Sequence, residues 1–435
     1  MSETPTTSTV AEAAWRQRCA SCGAAYSLDD AVATCRACDG LLDLEAPPPP
    51  PADVLRPLFD ARSAVGAGPA ASGVWRYREL LAPAGARHWV SYPEGNTPLV
   101  RQERVQRWVG VRELWLKHEG MNPTGSFKDR GMTVGTTQAV RVGATAVACA
   151  STGNTSASLA AYAALAGLPA IVFVPRGQVA LGKLTQTLAY GARTLLVDGD
   201  FDACLTLARE ASVRLGIYLL NSVNPFRLEG QKTIAFELLH QLGWRPPDWI
   251  ALPAGNLGNT AALGRALFEL RRAGLISTTP RILAVQASGA APFAQSFEER
   301  FVRRHSVRAD TVATAIRIGD PASYDRAVRA IRETDGVVLS VPDDAILDAK
   351  SILDAAGVGC EPASAASAAG AREAVRRGIV SGSDTVACIL TGHVLKDPGI
   401  LAWYHQEREP RPAGANRPIE VAPTLAAVEH VLRGA

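Results

Sequence analysis

The sequence predicts an α/β protein: a mostly parallel sheet covered by helices on both faces, preceded by a small cysteine-rich module. Three observations predict it. From residue 126 onward, short runs such as "TAVACA", "PAIVFVP" and "DWIALPAG" are apolar throughout and alternate with helical stretches of about 10 to 15 residues. Glycine-bearing loops follow several of those runs, where ligands of open parallel sheets bind. Four of the eight cysteines crowd between positions 19 and 38.

At 435 residues the chain is long enough for two or three domains. A 47% hydrophobic and 20% charged composition is that of a globular protein, and the net charge of +3 comes from interspersed bases and acids. A nucleic-acid surface is not implied. "MSETPTTSTV" has neither the basic region nor the apolar run of a secretory signal, and no stretch approaches the roughly 18 uninterrupted apolar residues of a membrane span. The expected location is cytoplasmic, with no membrane partner.

The first module reads C-x2-C, x12, C-x2-C over Cys19, Cys22, Cys35 and Cys38. Two such pairs can bring four thiolates round one tetrahedral ion, so a structural zinc ribbon is expected over residues 1–45. All four positions are sulfur, which leaves no open ligand position for chemistry. "EAPPPPPADVLRP" then reads as a stiff spacer, making 46–72 a proline-rich linker. Cys149, Cys204, Cys360 and Cys388 stand singly in apolar surroundings and read as small buried hydrophobes.

The alternating region follows. "SFKDRGMTVGTTQAVRVG" is a helix in which Ser126 can cap and Asp129 stands at the capping-box position. Helices at "NTSASLAAYAALAG", "LGKLTQTLAYG", "FDACLTLAREASVRLG", "EGQKTIAFELLHQLG" and "NTAALGRALFELRRAG" alternate with strands through "RILAVQA". Residues 291–320 are irregular and read as an insertion or a mobile surface segment. "VVLSV", "DDAILDAKSILDAAG", "ASAASAAGAREAVRRG" and "TVACILTG" resume the series.

Three strand-end loops carry chemistry: "STGN" (151–154), "PAGNLGN" (253–259) and "TGH" (391–393). In the second, Gly255 and Gly258 let successive amides converge in front of a helix N-terminus, an anion cradle. It matches neither the dinucleotide fingerprint nor the nucleotide phosphate loop. Lys128, behind Phe127 in "TGSFKDRG", adds an amine with small neighbours. An amine beside a phosphate cradle is what pyridoxal 5'-phosphate requires: the amine bonds the aldehyde and the cradle holds the phosphate.

At these residues the chain resembles the threonine synthase family of the tryptophan-synthase-like (fold type II) pyridoxal phosphate enzymes. "GVWRYRELL", "EGNTPL", "LKHEGMNPTGSFKDRG", "STGNTSAS", "SVNPFRLEGQKT", "PAGNLGN", "EPASAAS" and "TGHVLKDP" look like that family's segments, in its order, over about residues 73–398. The resemblance implies that Lys128 bonds the cofactor with Phe127 beside it. Asn154 would meet the ring oxygen, Gly255, Asn256, Leu257, Gly258 and Asn259 the phosphate, and Thr391 the pyridine nitrogen. Ser222 and Arg227, with Lys117, resemble residues near a substrate phosphate; Asn96 and Thr97, or alternatively Thr155, resemble the binder of the amino acid carboxylate. Val394 stands where the family often has glycine, which suggests a tighter pocket.

The implied reaction is conversion of O-phospho-L-homoserine and water to L-threonine and phosphate, a step of threonine biosynthesis. A cysteate synthase or another lyase acting on a phosphorylated amino acid is the alternative within the fold type, and an inactive interaction protein the alternative outside it. The fold type also implies two open, mostly parallel α/β sheets, with 73–435 as one catalytic region that carries a smaller α/β subdomain at about 130–225, and a homodimer.

Overall fold

The computed structural model describes residues 15–83, 86, 88–177 and 181–433; the N-terminal stretch read as lacking a signal lies outside them. β1 (Arg16–Cys19), β2 (Ala25–Tyr26) and β3 (Leu42–Glu45) form a small antiparallel sheet in the order β2-β1-β3. It carries a core of its own made of Cys19, Val32, Cys35 and Leu42.

The stretch expected to be only a spacer contains α1 (Ala52–Ser63), which buries Leu55, Phe59 and Arg62. This corrects the linker reading of 46–72. Leu55 and Phe59 stand four apart on one helical face, and burying that stripe outweighs the presence of Pro57 within the helix.

β4 (Leu99–Val100), α2 (Glu103–Val109) and β5 (Glu113–His118) lead to α3 (Lys128–Arg141). Next comes a four-stranded parallel sheet of β6 (Ala146–Ala150), β7 (Ala170–Pro175), β8 (Arg193–Val197) and β9 (Ile217–Leu219), with α4 (Asn154–Leu165), α5 (Leu181–Ala189) and α6 (Phe201–Leu215) between them. Its order is β8-β7-β6-β9. α7 (Pro225–Gln241) returns the chain to the larger sheet through β10 (Trp249–Pro253), α8 (Gly258–Arg272), β11 (Arg281–Ala287), α9 (Pro292–Glu298), α10 (Tyr324–Glu333), β12 (Val337–Val341), α11 (Asp343–Ala355), α12 (Pro362–Arg376) and β13 (Thr385–Leu390).

The larger sheet has the order β12-β11-β10-β13-β5-β4, parallel except for the β4–β5 pair. Its strands are apolar throughout because both faces are covered. Ile250, Leu252, Ala387 and Ile389 enter one core, whereas the alternate residues Ala251, Val386, Cys388 and Leu390 enter the other. All four scattered cysteines are buried free thiols. β13 inserts between β10 and β5, so the strand order reverses there and opens a crevice at their carboxyl ends.

Residues 291–320 are tied down at several points. Asp310 and Val307 donate backbone bonds to Gly289 and Gly319, and Asp343 accepts from Thr311 Oγ1 and Val312 N. A Cβ on Gly289 would lie 1.8 Å from Asp310 O, so this approach needs glycine. Short-range pattern reading missed these contacts because their partners are remote.

Residues 397–435 form a separate unit with α13 (Pro398–Ala402) and α14 (Leu425–Arg433). Among the described residues, no helix is long and apolar enough to cross a membrane.

Candidate active site

Lys128 opens α3, but the turn before it is built differently from the capping box expected. The N-cap is Phe127, with no side-chain cap, and the Ser126 hydroxyl is buried without a partner. Asp129 instead accepts from Thr124 N (2.7 Å), Thr124 Oγ1 (2.6 Å) and Ser158 Oγ (2.6 Å), closing the "PTGS" turn. That turn is stitched to the loop after β13: Phe127 N donates to Thr391 O (3.0 Å) and His393 N to Gly125 O (2.9 Å). Residues from the ends of β5 and β13 are thereby brought together.

α3 then packs on α7 with almost no gap. A Cβ on Gly230 would sit 1.7 Å from Arg130 O, and one on Gly131 2.9 Å from Arg227 O. This places Arg227, in the first turn of α7, against α3. Asn224 caps α7 by accepting from Phe226 N and Arg227 N. The Arg227 guanidinium is fully buried: Nη1 donates to Leu220 O (3.1 Å), while Nε and Nη2 have no partner. Desolvation brings it down to about 10.

Lys128 Nζ lies 4.1 Å from the Phe127 ring centroid. Desolvation, reinforced by the Arg227 charge and opposed by Glu361, brings its ammonium down to about 7. An amine with that value is substantially neutral, hence nucleophilic, near neutral pH.

The loop after β10 forms a cradle. Leu257 is left-handed (φ 63°), and α8 begins at Gly258 with its first N–H groups facing the loop. Gly255 is pressed by the 314–316 turn, whose Ile316 Cα would lie 3.0 Å from an added Cβ. Asn259 Nδ2, Thr260 Oγ1 and Ser323 Oγ are buried there without partners. Asn256 joins this loop to the one after β9, its Nδ2 donating to Ser222 Oγ (2.6 Å) and its Oδ1 accepting from Ala322 N (2.7 Å).

The third loop starts α4. Asn154 Nδ2 donates to Glu361 Oε2 (2.9 Å), and Thr155 follows in the first turn, partly exposed. Glu361 was not singled out from the sequence, yet its buried carboxyl also accepts from Thr391 Oγ1 (3.3 Å). Ser364 Oγ lies 2.9 Å from the same Thr391 hydroxyl. The readable signal was an acid directly before the Pro362 that opens a helix of small residues.

Three expected substrate residues lie in a different cluster. Lys117 Nζ donates to Glu237 Oε1 (2.5 Å), Gln241 Oε1 (2.8 Å) and Thr97 O (2.8 Å), so all three of its N–H groups are used. Thr97 Oγ1 donates to Glu119 Oε1 (2.7 Å) and its backbone N–H to Glu237. Asn96 accepts from Arg76 Nη2 and donates to Ala71 O, both at 2.5 Å. With the Arg130 ion pairs to Glu119 and Glu237, this cluster is saturated, and it holds Glu237 well below the usual carboxylate range. The side chains expected at the substrate phosphate (Lys117) and carboxylate (Asn96 and Thr97) thus spend their hydrogen bonds within the protein, whereas Thr155 stands apart in the first turn of α4. Val394 is accommodated by Gly359, where an added Cβ would meet Val394 Cβ at 3.1 Å.

At the other end of the chain, the ligand sulfurs of Cys19, Cys22, Cys35 and Cys38 lie within 4.8 Å of one another. Cys19 Sγ is 3.5 Å from Cys38 Sγ, and Cys22 Sγ 3.5 Å from Cys35 Sγ. Four thiolates at about 2.3 Å from one tetrahedral ion stand roughly 3.8 Å apart, close to what is seen.

Comparison with known proteins follows the same lines. The pyridoxal-phosphate dependent enzyme family matches residues 90–392. The threonine synthase of Methanosarcina acetivorans is 46% identical over 383 residues, covering 88% of this chain and 92% of that protein. That of Methanocaldococcus jannaschii is 44% identical over 384 residues, 88% and 93% of the two chains. In three dimensions the chain is similar to threonine synthase from Escherichia coli (TM-score 0.69, 18% identity, 96% of this chain and 99% of that one) and to maize serine racemase (TM-score 0.59, 25% identity, 69% and 89%).

Proposed function

The chain belongs to the pyridoxal-phosphate dependent enzymes, and from that premise we infer that it converts O-phospho-L-homoserine and water to L-threonine and phosphate. The threonine synthases to which it is similar span nearly its whole length. One observation carries the phosphorylated substrate: the buried Arg227 guanidinium, with two unpartnered donors, set against the helix that Lys128 opens. A buried unpaired cation is costly, and a dianionic phosphate offers the charge and the fork-shaped acceptor that would offset it.

The cofactor fits the residues present. Lys128 would supply the amine, the orphan polar groups Asn259 Nδ2, Thr260 Oγ1 and Ser323 Oγ at the N-terminus of α8 would take its phosphate, and Asn154 and Thr391, both bonded to Glu361, would meet its ring. When bound it supplies the electron sink that makes protons at Cα and Cβ of an amino acid removable. The chain's residues do the rest. Thr155 and the amides opening α4 hold the substrate carboxylate. Arg227 and Ser222 hold the γ-phosphate as it leaves. The Lys128 amine would take the Cα proton and move protons at Cβ, which its lowered pKa permits near neutrality. Water adds at Cβ.

For the ribbon we propose one structural zinc on Cys19, Cys22, Cys35 and Cys38. Backbone N–H groups of Ser21 and Cys22 point at Cys19 Sγ, and the Tyr26 hydroxyl lies 3.1 Å from Cys35 Sγ, arrangements that favour thiolates.

The deciding experiment is a product assay with phosphohomoserine against phosphoserine plus sulfite. Threonine and phosphate from the first are expected; cysteate from the second, without threonine from the first, would overturn the assignment.

A further inference from the structure

A hydroxyl makes a weak partner for a pyridine nitrogen, since it cannot hold a proton there as a carboxylate does. In this chain the hydroxyl is not alone. Glu361 is buried with each carboxyl oxygen engaged: Oε2 accepts from Asn154 Nδ2 (2.9 Å) and Oε1 from Thr391 Oγ1 (3.3 Å). Its backbone N–H donates to Gly392 O (3.0 Å). A Cβ on Gly392 would lie 2.4 Å from Glu361 Oε1, so glycine at 392 makes room for the carboxyl beside Thr391. Ser364 Oγ accepts from Gly392 N (2.8 Å) and stands 2.9 Å from Thr391 Oγ1.

We propose that Glu361 is a positioning residue that acts through Thr391 to set the protonation of the cofactor's ring nitrogen. The proposal deepens the reading above and rests on its assignment of Thr391 to that nitrogen. Thr391 has one proton to give. With Glu361 ionised, Thr391 donates to it and presents only lone pairs to the ring, which then bonds as the protonated N–H. If the ring proton passes to Thr391 Oγ1 while the hydroxyl proton passes to Glu361 Oε1, the carboxyl becomes neutral and Thr391 donates to an unprotonated nitrogen. One proton enters the hydroxyl as one leaves, so charge and atoms balance. Glu361 thus gives a threonine-type site a carboxylate at one remove, and the strength of its electron sink becomes titratable.

Charged groups face Glu361 from two sides. Burial raises its carboxyl, while Lys128 from the start of α3 and Lys396 from the turn after β13 pull it back toward the ionised form, along with the Asn154 and Thr391 hydrogen bonds.

The test is nitrogen-15 NMR of the holoenzyme carrying ring-labelled pyridoxal phosphate, in the parent and in Glu361→Gln. Glutamine keeps the shape and donates from its amide to Thr391, but cannot hold the negative charge. The ring nitrogen's titration midpoint should move to lower pH by at least about one unit, because an anion that favoured the protonated form has been removed. kcat should fall about tenfold or more with little change in KM. Thr391→Val cuts the same relay without touching Glu361, and Glu361→Gln should shift the midpoint no further in that background. Superimposable titrations of parent and Glu361→Gln, or a shift of the same size with and without the Thr391 hydroxyl, would overturn the inference. A parent that takes up no cofactor would instead overturn the functional reading beneath it.

Discussion

Lys128 and Arg227 act on each other as much as on any ligand. The Arg227 charge helps hold the Lys128 ammonium down to about 7, against an ordinary value of 10.5. Only the neutral amine attacks an aldehyde, so cofactor uptake by the cofactor-free protein should rise with pH and be half-maximal near 7. Removing the neighbouring cation by Arg227→Gln should move that midpoint up, because a positive neighbour disfavours the protonated lysine. Absorbance stopped-flow over a pH series measures both; a parent midpoint near 10 would contradict the electrostatics. Arg227→Lys makes a separate point. Lysine retains the charge and loses the fork, so kcat/KM for phosphohomoserine should fall about a hundredfold while the yellow colour of the bound cofactor persists. Unchanged kinetics would remove Arg227 from the substrate site, and loss of colour would assign it to the cofactor's phosphate.

Among the elements, α3 and α7 show what the sequence disclosed and what it withheld. The strands and the loops after them were legible because strands buried on both faces have a distinctive composition and ligand chemistry gathers at their carboxyl ends. The hydrogen-bond partners of Lys117, Asn96 and Thr97 were not. What saturates Lys117 is Glu237, 120 positions further on, and only the packing of α3 on α7 brings that carboxylate and Arg130 into one cluster. Sequence marks a residue as polar without saying whether its hydrogen bonds are already spent. The same interface yields a prediction. Gly230→Ala would force a Cβ to 1.7 Å from Arg130 O, a backbone atom that cannot swing aside. It should cost about 3 kcal/mol or more by spreading the helices and loosening the ion cluster, measured by denaturant unfolding. Gly66→Ala, with open space at the added Cβ, should stay within about 0.5 kcal/mol of the parent.

At the scale of the molecule, the ribbon touches both halves of the catalytic machinery. Its central loop holds the far end of α3, with Gln138 Nε2 donating to Leu28 O (2.5 Å) and Arg141 pairing with Asp29 (3.0 Å). Its last strand holds the helices over the larger sheet: Arg326 donates to Asp43 Oδ1 (2.7 Å) and Leu42 O (2.5 Å), and Arg265 to Leu44 O. Trp15, Leu28 and Leu44 run on into the main core. By contrast, the ribbon's own core is four buried residues, so the zinc proposed on the four thiolates would supply much of its folding energy. Purified protein kept reduced should contain about one zinc per chain. Cys22→Ser should then act at a distance: amide exchange should rise in the C-terminal half of α3 and around Arg265 and Arg326, as well as in residues 15–45. If the rise stops at residue 45, the ribbon is a passive appendage; if the reduced parent carries no zinc, the metal assignment fails. A rise that reaches α3 would mean that the helix opened by Lys128 is held at its far end by a metal site remote from the chemistry.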